Sequence, residues 1–348
     1  GQIRANNGEG GWQNVPVGQL LLTGKGYIFQ SANGDTLTMT FPKPNLPNKD
    51  IDVPLYQYNS VNPWDANWNM VGNPFLAYFD MNALTGFTYP VVAWNGYGYD
   101  TYRPGDDEYH FKPLESFFIQ NVDLTKINFP IDGRETLTQA KSKLFSAPAR
   151  RNTDSPATRF IVNINLSDST YTDRTRVVFN NQASVDYEMG VDASKMISTT
   201  APVQLYTIGK SNEQYSINER PATINGEMIQ LGYYAAYAGE FTLSASRMDT
   251  TIMIYDNVEK QYVDLSLGQY TFKTEAGFNN SRFAMCATEK QDTPSSIQDV
   301  NMENLSSVSV YTTTGQTIAE NVDFSTLHLP AGVYMIKSNN TIFKIVLP

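Results

Sequence analysis

Polar and apolar side chains alternate along most of this chain in short runs broken by turn residues. That period of two is the signature of half-buried β-strands. Thr36-Leu37-Thr38-Met39-Thr40-Phe41 alternates throughout, after the aromatic stretch Tyr27-Ile28-Phe29 and the pair Asn33-Gly34. Asn-Gly accepts positive φ at both central positions of a tight turn, so the pair predicts a hairpin. Asn95-Gly96 predicts another, between Val91-Val92-Ala93-Trp94 and Tyr97-Gly98-Tyr99, and Asn225-Gly226 a third, before Glu227-Met228-Ile229-Gln230-Leu231. Long amphipathic helical periods are missing; short helical turns are expected only over residues 80–84 and 192–196.

Two shifts in composition divide the pattern. Arg134, Glu135, Lys141, Lys143, Arg150, Arg151 and Pro156 mark a charged, aromatic-poor stretch, and Lys290-Gln291-Asp292-Thr293-Pro294-Ser295-Ser296 is polar with a proline that blocks strand pairing. The expected organisation is all-β, with antiparallel β-sandwich or jelly-roll-like domains over residues 1–135 and 157–289 and a linker over 136–156. A small C-terminal Ig-like β-domain of two hairpins is expected over 297–348.

Composition narrows the function. The chain of 348 residues is 41% hydrophobic and carries a formal net charge of −10, so it has cores to bury and repels a phosphate backbone, which argues against nucleic acid as a partner. Its one cysteine, Cys286, allows no intrachain disulfide. No apolar run approaches the roughly 20 residues of a membrane-spanning helix. The opening Gly1-Gln2-Ile3-Arg4 has neither an initiator methionine nor a secretory leader, which predicts a mature or excised piece of a longer polypeptide.

Three stretches resemble C-terminal regions of large exported Bacteroidetes proteins. Trp68-Asn69-Met70-Val71-Gly72-Asn73-Pro74-Phe75, with Trp94-Asn95-Gly96 and Ser116-Phe117-Phe118-Ile119, is similar to a recurring W-N-x-V-G-N-P β-domain. The upstream Gly24-Lys25-Gly26-Tyr27 fits the strand that often precedes it. Asp173-Arg174-Thr175-Arg176-Val177 with Ser216-Ile217-Asn218-Glu219-Arg220-Pro221 forms the second stretch. The third, Gly315 with Leu329-Pro330-Ala331-Gly332-Val333-Tyr334, is similar to the C-terminal sorting domain of type IX secretion, although the Asn-Pro element that usually opens such a domain is missing between Thr293 and Leu305. The resemblance implies secretion or cell-surface display, with the outer-membrane export machinery as a partner.

Chemistry is sparse. The only histidines are His110 and His328, and neither has a second histidine at ligand spacing, which argues against zinc; no cofactor and no catalytic residue is expected. Cys286 lies in the apolar run Phe283-Ala284-Met285-Cys286 and reads as a small buried hydrophobe. Asp106-Asp107-Glu108, after Pro104-Gly105 and near Trp94, Tyr99 and Tyr102, is the best carboxylate cluster for a ligand, against its simpler reading as a solvated turn. Trp64, in an apparent loop, is the best exposed ring for stacking on a sugar. The expected function is a non-catalytic structural or adhesive surface module contacting a host glycan or protein. The alternative is a carbohydrate-binding accessory region of a secreted glycoside hydrolase, which an exposed row of aromatics across one sheet would favour.

Overall fold

The computed structural model describes residues 2–6, 11–30, 46–144, 159–221, 228–288, 307–312, 315–323, 326–330, 332–338 and 341–347. The chain is all-β, as the alternation predicts, and it divides into two compact units. Unit 1 comprises Gly1–Ser155 and Tyr187–Ser198; unit 2 comprises Pro156–Asp186 and Thr199–Pro348. The return of Tyr187–Ser198 to unit 1 is a connection that linear composition does not reveal.

The strands of unit 1 are β1 (Gln2–Asn6), β2 (Trp12–Asn14), β3 (Tyr27–Gln30), β4 (Ile51–Pro54), β5 (Trp68–Gly72), β6 (Tyr78–Asp80), β7 (Val91–Trp94) and β8 (Tyr99–Tyr102). They continue with β9 (His110–Phe111), β10 (Ser116–Gln120), β11 (Lys126–Phe129) and β12 (Arg134–Glu135), then the helix α1 (Leu137–Leu144). They form small sheets in the orders β2-β1-β3, β5-β10-β7-β8, β11-β4 and β12-β6-β9. Because alternate residues face opposite sides, Val71, Phe117, Ile119, Val91 and Ala93 point inward and join Phe75, Phe79, Phe111 and Phe129 in one buried cluster. Phe111 and Phe117 stack there with centroids 4.0 Å apart.

The W-N-x-V-G-N-P residues hold this arrangement through backbone groups. Asn69 mimics a strand, its Oδ1 accepting from Tyr56 N at 2.8 Å and its Nδ2 donating to Tyr56 O at 2.8 Å. Asn73 donates to Ala77 O and Lys112 O, both at 2.9 Å, and accepts from Phe75 N at 3.0 Å. The glycines upstream serve close approach. A Cβ on Gly24, whose φ is +78°, would lie 2.2 Å from Val53 Cγ2, and one on Gly26 would lie 2.4 Å from Met70 Cγ.

Next come β13 (Arg159–Ser167) and β14 (Thr172–Asn180) of unit 2, and β15 (Ala193–Ser194) of unit 1. Unit 2 continues with β16 (Val203–Ile208), β17 (Gln214–Arg220), β18 (Ile229–Ala235), β19 (Gly239–Met248), β20 (Thr251–Asp256), β21 (Gln261–Asp264), β22 (Tyr270–Thr274) and β23 (Gly277–Thr288). One sheet runs β21-β20-β23-β18-β16-β17-β14-β13-β19-β22, antiparallel except where β14 meets β17. Residues of most of these strands, among them Val162, Phe179, Leu205, Tyr233, Phe241, Ile254 and Phe283, line a single core. Arg282, buried beside this core, grips Asp256 at 2.8 Å and lies over the Phe272 ring, 4.7 Å from its centroid.

The last strands, β24 (Val308–Thr312), β25 (Thr317–Val322), β26 (Gly332–Ser338) and β27 (Thr341–Leu347), form a sheet ordered β25-β24-β26-β27. Both faces of β24 and β26 are used. Val308, Val310, Tyr334 and Ile336 form one cluster, while Tyr311 and Met335 join Met253, Tyr262 and Cys286 of the larger sheet.

Three local expectations change. Residues 192–196 carry β15 rather than a helical turn, and the 136–156 stretch opens with α1, started by reciprocal hydrogen bonds between Thr136 and Gln139. At Asn95-Gly96 only the glycine turns left-handed, with φ +106°, while Asn95 Oδ1 accepts from Tyr97 N and Gly98 N. The 80–84 turn is present as a 3-10 turn over Met81–Ala83. The Asn33-Gly34 and Asn225-Gly226 signals, the 36–41 strand and the 290–296 break lie outside the described residues.

Candidate functional site

The face of the β5-β10-β7-β8 sheet opposite Val91 and Ala93 carries a row of rings, with Phe118 buried in its middle. Trp94 ends β7 and pairs with Tyr99 at the start of β8, so both project to the side opposite Val91 and Ala93. Phe118 of β10 pairs with Val92, the neighbour of Trp94 on that face. The centroids run Trp94 to Tyr99 at 5.0 Å, Tyr99 to Phe118 at 6.1 Å and Phe118 to Trp12 at 6.0 Å, each step edge-on. Trp94 and Trp12 are 44% and 41% exposed, so the row ends in two open indoles, while burial pushes the Tyr99 hydroxyl pKa up. Tyr97, at the hairpin tip beside them, is exposed as well.

The other end of the same face is closed. Gln120 donates to Pro63 O and Ala66 O, both at 2.8 Å, and accepts from the Tyr187 hydroxyl. Trp64 belongs to this lid. It is half-buried, its ring meets Tyr187 edge-on at 6.4 Å, and its carbonyl accepts from Trp68 Nε1 at 3.0 Å and Ser194 Oγ at 3.2 Å. The loop position that suggested exposure is instead a 3-10 turn over Pro63–Asp65 clamped by the returning Tyr187–Ser198 segment.

The remaining expected residues separate from the row. Tyr102 turns to the core side and stacks on Tyr109 at 4.1 Å. Asp107 closes its own turn: its carboxylate accepts from Arg103 N at 2.8 Å and its carbonyl from Asn82 Nδ2 at 3.0 Å. Asp106 N donates to Arg103 O, and Asp106 and Glu108 are half-buried beside it. Of the residues picked from sequence, only Trp94 and Tyr99 join the row. Trp12 and Phe118 were missed; the double aromatic Phe117-Phe118 was the available signal, since alternation must send one of the two outward. In the C-terminal sheet, Gly315 has φ +85° and Tyr334 donates to Pro330 O at 2.7 Å, with Gly332 and Val333 opening β26.

A second constellation lies on the β12-β6-β9 sheet. Phe79 pairs with Phe111 and Arg134, Asp80 with His110, and Tyr78 with Glu135. With Phe79 and Phe111 in the core, alternation places Asp80, His110 and Glu135 together on the other face. Their donor atoms all lie within 4.8 Å of one another. His110 Nδ1 is 2.7 Å from Glu135 Oε2, with the side chains 2% and 8% exposed. His328 is remote from this group in sequence and is exposed, and Cys286 is buried, its thiol pushed up to about 11 by desolvation.

Among the described residues, these features define an all-β protein with a row of rings that ends in two exposed indoles and a carboxylate–imidazole cluster. The chain belongs to the family described as Domain of unknown function (DUF8693), whose model matches residues 78–286. That span contains Trp94, Tyr99, Phe118, Asp80, His110 and Glu135, whereas Trp12, the W-N-x-V-G-N-P motif and the C-terminal sheet fall outside it. No curated protein and no solved structure matches the chain. Among the described residues, no helix is long and apolar enough to cross a membrane.

Proposed function

We propose that the chain is a non-catalytic, extracellular adhesive module of a bacterial surface or secreted protein, and that its ligand is a saccharide held on the Trp94-Tyr99-Phe118-Trp12 row. The observation that carries this reading is the pair of open indoles at the ends of a packed aromatic row. A pyranose presents an apolar C–H face that stacks on such rings, and rings held by their neighbours lose little entropy on binding. An aromatic row across one sheet is the feature expected of a carbohydrate-binding accessory region of a secreted hydrolase, so that second reading is supported by the same row and shares the same saccharide ligand. The resemblance of the C-terminal sheet to a sorting domain supports delivery through the outer-membrane export machinery.

Glycan-array screening followed by calorimetry tests the ligand. Trp94→Ala and Trp12→Ala should each weaken binding by about 1–3 kcal/mol, the scale of a lost aromatic anchor, with unchanged circular dichroism. Trp64→Ala should lower stability and leave the intrinsic affinity in place. Absence of binding to any glycan, or binding indifferent to both indoles, overturns the proposal.

A further inference from the structure

We infer that Asp80, His110 and Glu135 form a site for a divalent first-row transition cation, best matched by Zn²⁺, that pins β6, β9 and β12 together. The first support is the state of the imidazole. His110 is almost wholly buried, yet neither ring nitrogen makes a hydrogen bond. A polar group left so in the interior costs about 1–3 kcal/mol, and folded chains rarely accept that without a partner of some kind.

The second support is geometric. Nδ1 and Glu135 Oε2 approach to 2.7 Å without hydrogen-bond alignment. Two donors bound at about 2.0–2.1 Å to one tetrahedral ion sit about 3.3–3.4 Å apart, so a small side-chain rotation that opens this pair admits the ion between them. Asp80 completes the set from the strand between, its Oδ1 accepting from Asn82 N at 2.8 Å, a contact that fixes the carboxylate's direction.

Charge and donor chemistry select the ion. Two carboxylates and an imidazole gathered within 4.8 Å offer oxygen and nitrogen donors suited to a dication. Imidazole with carboxylate favours zinc-like ions over the all-oxygen shells of calcium and magnesium. The short strands supply the motive for such a pin: β9 and β12 contribute two residues each and make few ladder bonds to β6.

The test uses the full chain stripped with chelator and titrated with zinc chloride, followed by imidazole ¹⁵N resonances and by thermal unfolding. With only two histidines, the spectrum separates His110 from His328 directly. The expected result is a shift at His110 saturating at one equivalent, an unchanged His328, and a melting temperature raised by about 5 °C. Calcium and magnesium should produce neither effect. His110→Gln should abolish the response; because that variant can fail to fold, Asp80→Asn, at a partly exposed strand end, provides the second arm and should weaken zinc binding at least tenfold. His110 resonances indifferent to excess zinc, identical melting in zinc and in chelator, or a response confined to His328 would each overturn the inference.

Discussion

At the residue scale, burial decides which groups are inert and at what pH they cease to be. Desolvation pushes the Cys286 thiol up from 9.0 to about 11 and the Tyr206 hydroxyl up from 10.0 to about 12. Both acids stay neutral in the folded chain when the unfolded chain has begun to ionise. Their contribution to stability is therefore complete below about pH 9 and is lost as pH rises through the folded values. The melting temperature should fall steadily across that alkaline window, with Tyr206 ionising only as unit 2 unfolds. Cys286→Ala should remove the earliest part of the fall. A melting temperature flat to pH 12, or tyrosinate absorbance appearing at the ordinary tyrosine range for every ring, would show that the burial has no energetic consequence. Cys286 was legible because an apolar run around a thiol predicts burial directly. His110 was not, because its partners lie 30 residues before it and 25 after it, and no spacing rule joins Asp80 to Glu135.

At the element scale, the alternating pattern located strands and which residues share a face, but not which strands become neighbours. β5 pairs with β10, more than forty residues away, and β14 lies parallel to β17, and neither pairing has a local signal. The Gly-x-Gly-Tyr stretch shows how a motif can be legible before its reason is. Lys25 bridges to Val71 and Gly26 N donates to Met70 O at 2.9 Å, so this segment runs along the edge of β5. Gly26 is there because Met70 fills the space: an added Cβ would lie 2.9 Å from the Met70 carbonyl carbon, a backbone atom that cannot swing aside. Gly26→Ala should destabilise unit 1 by about 1–3 kcal/mol through overpacking, measured by chemical unfolding, and should blunt the zinc and glycan responses only in proportion to the unfolded fraction. A neutral Gly26→Ala would mean that the edge segment is not seated as described. The hairpin at Asn95-Gly96 worked differently. The dipeptide correctly marked a turn, but the asparagine acts through its side chain, and Trp94 and Tyr99 stand side by side at the exposed end of the row.

At the scale of the whole molecule, the C-terminal sheet poses the sharpest choice. Its polar, proline-containing approach and its sorting-like motif argue for an independent export unit over residues 297–348. Its packing argues the other way: Tyr311 meets Tyr262 edge-on at 5.3 Å, Met335 shares a cluster with Met253, Tyr262 and Cys286, and an added Cβ on Gly315 would lie 2.2 Å from Tyr262 O. Side chains of this kind contribute roughly 1.5–3 kcal/mol each when fully withdrawn from water. Removing residues 307–348 leaves Met253, Tyr262 and Cys286 facing solvent, so the truncated chain should melt several degrees lower in unit 2, with unit 1 unaffected. The Cys286 thiol, enclosed in the full chain, should then react readily with a disulfide reagent. Surface delivery in the native host should be lost at the same time if export machinery reads this sheet. Unchanged melting together with a protected Cys286 would mean that the shared cluster carries no energy and that the segment is separable. Lower melting with surface delivery intact would make the sheet a cap on unit 2, its export motif read by nothing. The two readouts are independent because one follows apolar contacts inside unit 2 and the other follows what the sheet presents outward.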